Sequence, residues 1–92
     1  MPTVEHKPEQ TRYEIHVDGE LAGFTRYRRT PDAFVFEHTE IDDAHEGQGL
    51  GGQLARGALD DVRAQGLKVV AECPFIKAWI AKHEDYQDLL LG

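Results

Sequence analysis

The chain has 92 residues and a mass of 10.4 kDa, within the ~50–250 residues of one domain, which excludes a two-domain enzyme. It is 40% hydrophobic and 29% charged, with a mean hydropathy of -0.53; that is the balance of a globular chain, and no apolar run approaches the ~18 residues of a membrane span. Lys and Arg number 10 against 17 Asp and Glu, a net charge of -7, which excludes the basic footprint of a nucleic-acid binder.

Residues 1–10 carry two prolines and no periodic pattern, so they are expected to be a flexible N-terminal tail ahead of one domain over 11–92. Arg12 to Asp18 alternates, with Tyr13, Ile15 and Val17 on one face, and predicts a half-buried strand. Asp18-Gly19 supplies the positive φ angles of a tight hairpin, and Leu21 to Tyr27 reads as the return strand. Within Arg26-Tyr27-Arg28-Arg29 the charges read as a solvated strand end. Thr30-Pro31-Asp32 makes a second turn. Ala33 to Ile41 (AFVFEHTEI) is the third strand of an antiparallel meander, with Phe34, Phe36, His38 and Glu40 expected on one face and Val35, Glu37, Thr39 and Ile41 on the other.

The period then changes. Leu50, Leu54, Ala58, Leu59 and Val62 recur at helical spacing and predict a helix from about Gly49 to Gln65, stopped by Gly66. Leu67 to Cys73 reads as a strand, and Pro74 as the first residue of a second helix, where its missing N–H costs nothing. Phe75, Ile76, Trp79, Ile80 and His83 form that helix's apolar stripe. The end, EDYQDLLLG, fits either a short helix or an extended segment. The fold class is therefore α+β, a three-strand meander followed by helix-strand-helix, with a right-handed crossover joining the third and fourth strands. Met1 to Glu9 lacks a signal-peptide core, and the lone Cys73 leaves no internal disulfide. A cytoplasmic location is the expectation.

Asp42 to Gly52 (DDAHEGQGLGG) carries the chemistry. Four glycines fall in six residues where a helix begins. Glycine lets backbone approach a ligand closely, and a helix start offers unpaired N–H groups to a phosphate. A Walker A loop needs Gly-Lys-Ser/Thr, and no lysine lies between Lys7 and Lys68. Gly47-x-Gly49-x-x-Gly52, with Glu72 20 residues later, matches the dinucleotide fingerprint, but a polar acidic segment separates it from the strand and no doubly wound sheet follows. The third reading is a loop that holds the pyrophosphate of coenzyme A.

On this third reading, Glu46-Gly47-Gln48-Gly49-Leu50-Gly51 resembles the Gln/Arg-x-x-Gly-x-Gly/Ala motif of the GNAT superfamily of N-acetyltransferases. HTEI, GQGLGGQLARGALDDVRAQGLKVVAECPF and a terminal tyrosine together look like its short single-domain group, the YjdJ type. The resemblance spans Tyr13 to Leu90 and implies the acyl-CoA N-acyltransferase fold and acetyl-CoA as co-substrate. It implies backbone contacts to coenzyme A from Ile41, Asp42, Gly47, Gln48, Gly49, Leu50, Gly51 and Gly52. Glu46 departs from the motif, and a carboxylate 4 Å from a phosphate costs ~1 kcal/mol even in water; Arg56, further along the helix, can add positive charge. Phe75, Trp79 and Ile80 read first as core, with Phe75 also a coenzyme contact.

Acetyl transfer needs a base for the acceptor and an acid for the leaving thiolate. Glu40 and His38, two residues apart on a strand, are candidates for the base, with burial beside Phe34 and Phe36 expected to raise a carboxylate's pKa. Cys73, ahead of Pro74, is expected either to accept the acetyl group or to line its channel. Tyr86, in a segment resembling the family's HPEY, is a candidate acid. His6, His16 and His45 have no metal-ligand spacing, and no metal is expected. The acceptor is expected to be an amine, a small molecule or a protein lysine, because residues 37–92 hold 5 basic and 11 acidic residues. Neither a nucleic-acid nor a membrane partner is expected. Two other readings are a coenzyme A-binding module without catalysis and a nucleotide-binding fragment of a larger complex.

Overall fold

The computed structural model describes residues 2–91; Met1 and Gly92, the outer limits of the expected tail and domain, lie outside the described residues. Five strands make one sheet in the order β1-β2-β3-β4-β5: β1 is Pro2–Lys7, β2 Arg12–Val17, β3 Glu20–Arg29, β4 Ala33–Ile41 and β5 Lys68–Ala71. β1 to β4 pair antiparallel in chain order, and β4 pairs parallel with β5. Helix α1 (Leu50–Ala64) makes the crossover between β4 and β5, and α2 (Pro74–Ala81) follows β5. The α+β reading holds, with a meander one strand longer than expected.

The extra strand corrects the expectation of a flexible tail. Pro2–Lys7 pairs with β2 along its whole length, from Pro2↔Val17 to Lys7↔Arg12. Proline is tolerated as the first residue of an edge strand, where its missing donor breaks no ladder bond. Val4 and His6 face inward at period two. His6 stacks on Tyr13 with ring centroids 4.2 Å apart and its Nε2 lies 2.7 Å from the Tyr27 hydroxyl. Val4 packs so closely on α1 that a Cβ on Gly57 would come within 2.8 Å of it. The segment is too short and too polar to stand out by periodicity, and two of the residues its inward side chains meet, Tyr27 and Gly57, are distant in sequence.

The Asp18-Gly19 hairpin forms as expected, with φ of 51° and 82°. Both helices pack on one face of the sheet. Tyr13, Ile15, Tyr27, Phe34, Phe36 and Val69 of the strands meet Leu50, Leu54, Ala58, Leu59 and Val62 of α1 and Ile76, Trp79 and Ile80 of α2 in one core. Tyr13 donates a 2.6 Å hydrogen bond to Asp61 of α1, and burial together with that carboxylate pushes the phenol's pKa up. The other face is polar: Glu14 is bonded by Arg12 (2.7 Å) and His16 (2.9 Å), and Arg28 bridges Glu37 (2.9 Å) and Glu72 (3.1 Å).

Two irregularities shape the end of β4. In the β3–β4 ladder Arg26 pairs with His38 but Tyr27 pairs with Phe36, so Glu37 is an extra residue. This β-bulge reverses the alternation beyond it. Phe34 and Phe36 are buried in the core; Thr39 then faces the helix side, bonded to the buried Thr25, while His38 and Glu40 are exposed on the opposite face. The expected shared face of Phe34, Phe36, His38 and Glu40 is thus corrected, and the apolar surroundings expected for Glu40 are absent. β5 is also shorter than expected. It pairs with β4 only from Ala33↔Lys68 to Phe36↔Ala71, after which the Glu72 and Cys73 amides both donate to the Phe36 carbonyl (3.0 and 2.8 Å) and the chain turns into α2. The final segment takes both expected forms: a 3-10 turn over Glu84–Leu89, then an extended Leu90 bridged to Val69.

Candidate functional site

Because β5 leaves at Phe36, β4 continues to Ile41 with no partner on its β5 side among the described residues. That unpaired length leads straight into the glycine loop. Asp42 opens a 3-10 turn over Asp43–His45, its carboxylate accepting from the Ala44 amide at 3.2 Å. Gly47 and Gly49 then adopt φ of 80° and 73°, a region open to glycine at little cost. A Cβ on either would meet nothing within 4 Å, so conformation and not crowding calls for glycine there.

The first turn of α1 is uncapped. Gly49 is the N-cap with no side-chain hydrogen bond, and the turn has no acidic residue. The leading amides of Leu50, Gly51 and Gly52 therefore keep their donors free and stand at the positive end of the helix dipole. Glu46, the departure from the resembled motif, is exposed to solvent. His45, one residue earlier, is half-buried; its Nδ1 is buried without a hydrogen-bond partner and its Nε2 lies 3.9 Å from Glu20. Gly51 has a packing reason to be glycine: a Cβ there would come within 2.8 Å of the Phe75 ring. Phe75 itself is 40% exposed, so it is a wall beside the loop and not a core residue, unlike Trp79 and Ile80, which are buried.

Cys73 is the N-cap of α2 and is buried. Its Sγ lies 3.2 Å from Thr39 Oγ1, and Thr39 Oγ1 lies 2.9 Å from Thr25 Oγ1. His38 Nε2 and Glu40 Oε2 are 2.7 Å apart and both side chains are largely in solvent. Successive strand residues point to opposite faces, so the His38–Glu40 pair and the Thr39–Cys73 pair flank the open edge of β4 from its two sides. An open cleft of about 380 Å³ lies between the start of β3 and the end of β4, with Leu21, Gly23 and Phe24 on one side and Glu40, Ile41, Asp42 and Asp43 on the other.

Tyr86 and Arg56 are brought together. The Tyr86 hydroxyl donates to Asp60 (2.7 Å) and accepts from Arg56 (3.2 Å), and its ring packs edge-on against Trp79. Burial and the Asp60 carboxylate push the Tyr86 pKa up. The hydroxyl's proton is thus committed to Asp60 and the tyrosine ties α1 to the last turn. Arg56 is folded back over the Trp79 and Tyr86 rings, 5.5 Å from each centroid. Thr39 and Thr25 are the site residues that sequence reasoning passed over. The bulge that turns Thr39 toward Cys73 arises from strand pairing, and no residue in HTE signals it. Among the described residues, no three His, Cys, Asp or Glu side chains gather as a metal site, and no helix is long and apolar enough to cross a membrane.

A family model described as GCN5-related N-acetyltransferase matches residues 12–89. The protein NATD1 of Mus musculus is 28% identical over 82 residues, covering 87% of this chain and 74% of that one. Its Homo sapiens namesake is 36% identical over 47 residues, covering 51% and 42%. The solution structure of a GCN5-like protein from Staphylococcus aureus superposes with a TM-score of 0.73 at 26% identity, over 98% of this chain and 88% of that one. A ribosomal-protein-alanine N-acetyltransferase from Brucella melitensis shares the fold at 20% identity, with a TM-score of 0.63 over 88% of this chain and 61% of that one.

Proposed function

The chain belongs to the GCN5-related N-acetyltransferase family, and from that premise we propose that it moves an acetyl group from acetyl-CoA to an amine. One observation carries the reading: β4 loses its β5 partner at Phe36 and runs unpaired into an uncapped helix start through two left-handed glycines. That combination is an extended backbone edge followed by a cluster of unspent N–H donors. It suits a ligand with amides at one end and a pyrophosphate at the other.

In this reading the amides from Gly47 to Gly52, those of Gln48 and Leu50 included, receive the pyrophosphate of coenzyme A. The backbone of Ile41 and Asp42 pairs with the pantetheine arm as an added strand would. Phe75 walls the loop, and Arg56 on the next turn of α1 adds charge once it swings off the Trp79 and Tyr86 rings. Glu46 points to solvent, where water screens its repulsion.

The acceptor enters beside Glu40. Its nitrogen is attacking-competent only when unprotonated, and the His38–Glu40 pair takes up that proton. The N–C bond then forms as the C–S bond of the thioester breaks, and the second proton that the nitrogen sheds on becoming an amide passes to the departing thiolate. Cys73 lines the sulfur end of the path or receives the acetyl group first. Tyr86, whose hydroxyl donates to Asp60, serves the packing of α1 in place of the acid role that the resemblance implies. Glu40, Asp42 and Asp43 around the cleft favour a cationic amine, a small molecule or a protein lysine, over an anionic acceptor.

The test is thermal unfolding with acetyl-CoA and with NAD. Acetyl-CoA raises the Tm and NAD does not; equal shifts, or none with acetyl-CoA, would sink the reading. A second reading, a coenzyme A-binding module without transfer, is favoured by the engaged Tyr86 hydroxyl. It predicts the same Tm shift with no acetylated product across an amine panel.

A further inference from the structure

The first turn of α1 borders α2 as well as the glycine loop. Gly51 faces Phe75, and the next residue, Gly52, faces Trp79. Beyond the neighbouring backbone of α1, the one atom within 4 Å of a Cβ built on Gly52 is Trp79 Nε1, at 3.5 Å. That is an ordinary contact, and Gly52 does not hold a positive φ. Neither crowding nor conformation therefore calls for glycine, which is the poorest helix former after proline. A larger side chain there would cover the indole edge. We propose that Trp79 is a binding residue whose indole N–H donates to the pyrophosphate of the coenzyme at the head of α1. The proposal rests on the coenzyme reading above for the identity of that anion.

Trp79 is only 8% exposed. A buried indole N–H usually has an acceptor. The Trp79 carbonyl is engaged, with His83 Nδ1 at 2.6 Å, but its Nε1–H has no acceptor among the described residues. Nor is that nitrogen sealed in: among the described residues, the side-chain nitrogen or oxygen that is both enclosed and unpartnered is His45 Nδ1. The indole donor is thus held in a ring that is nine-tenths buried, with its tip open beside the uncapped amides of α1.

The ring is fixed from several sides. His83 stacks on it at 3.8 Å, Tyr86 meets it edge-on at 4.9 Å, and the Arg56 guanidinium lies 5.5 Å from its centroid. A donor held this way loses little freedom when a ligand arrives. The local charge also has the right sign. The first turn of α1 holds no acidic residue, and Arg56 donates to the Tyr86 hydroxyl and to no carboxylate among the described residues. A phosphoryl oxygen accepting from the indole would complete a charge-assisted hydrogen bond, roughly twice as strong as a neutral one.

Trp79 is the chain's single tryptophan, so one indole N–H signal in a nitrogen–proton correlation spectrum reports on it alone. Acetyl-CoA should move that signal together with the Gly51 and Gly52 amides, and S-acetylpantetheine, which carries the same arm without phosphates, should leave the indole in place. An indole that stays put while the two amides move with acetyl-CoA overturns the proposal and leaves the coenzyme reading standing. An equal indole shift with S-acetylpantetheine also overturns it, because the arm and not the phosphates would then be responsible. Stationary amides and indole with acetyl-CoA sink the coenzyme reading and the proposal together. Trp79→Phe keeps a ring against His83 and Tyr86 but removes the donor, and should raise the Kd for acetyl-CoA about tenfold; an unchanged Kd counts against the indole donor. If Trp79→Phe does not fold, the wild-type spectra decide.

Discussion

The two halves of β4 obey opposite rules. Ala33–Phe36 is paired with β5, its last three residues also with β3, and all four residues are buried. Past the bulge at Glu37, the strand to Ile41 is paired only with β3, and its residues alternate between half-buried and exposed. The first half holds the sheet to the helices. The second half leaves its backbone edge without a β5 partner and its side chains more open. One strand therefore supplies both scaffold and open edge, and a single extra residue with the departure of β5 separates them.

The sharpest way to break that comparison is to cut each half in turn. Phe36→Ala should lose about 3–5 kcal/mol of stability in urea unfolding. Glu40→Gln, beyond the bulge, should stay within ~0.5 kcal/mol while slowing any acetyl transfer. Similar stability losses in the two variants would show the halves to be one packing unit. At the opposite edge of the sheet, Gly57→Leu pushes a side chain into Val4 and should cost about 1–3 kcal/mol. Amide exchange should then quicken in β1 before it does in β4. At the loop, Gly49→Ala places a Cβ in open space but at positive φ, so it should cost about 1–2 kcal/mol and shrink the acetyl-CoA Tm gain.

The smallest effect concerns pH. Burial pushes the Glu14 carboxyl up, but hydrogen bonds from His16 and Arg12 outweigh it and leave its pKa below the ordinary value. A carboxylate depressed in the folded state contributes stability above its unfolded pKa, and that contribution is lost as pH falls through the folded value. The Tm difference between wild type and Glu14→Gln should therefore be present at neutral pH and close on acidification below the usual carboxylate range. A constant difference across that range would assign the effect of Glu14 to shape.

The regular parts of this fold are written in local pattern. Alternation in Arg12 to Val17, the Asp18-Gly19 turn, the spacing of Leu50, Leu54, Ala58, Leu59 and Val62, and the Gly66 and Pro74 signals each depend on residues a few positions apart. The glycine loop at the head of α1 is legible for the same reason. β1 was hidden because its inward residues, Val4 and His6, gain meaning only against Gly57 and Tyr13. The face of His38 and Glu40 was misread because period two holds only while the ladder is unbroken, and the bulge is a property of two strands and not of one.

By itself, then, the sequence determined the order of elements from β2 onward, the glycine conformations at the head of α1 and the family resemblance, since helix period, turn geometry and backbone freedom are local. Tertiary structure alone decided which side of β4 each residue serves and where β5 lets go. It also joined Cys73 to Thr39 and Tyr86 to Asp60 and Arg56. These contacts span 26 to 34 positions. Pairing register and helix packing bring such positions together, and neither is encoded in any short stretch of the chain.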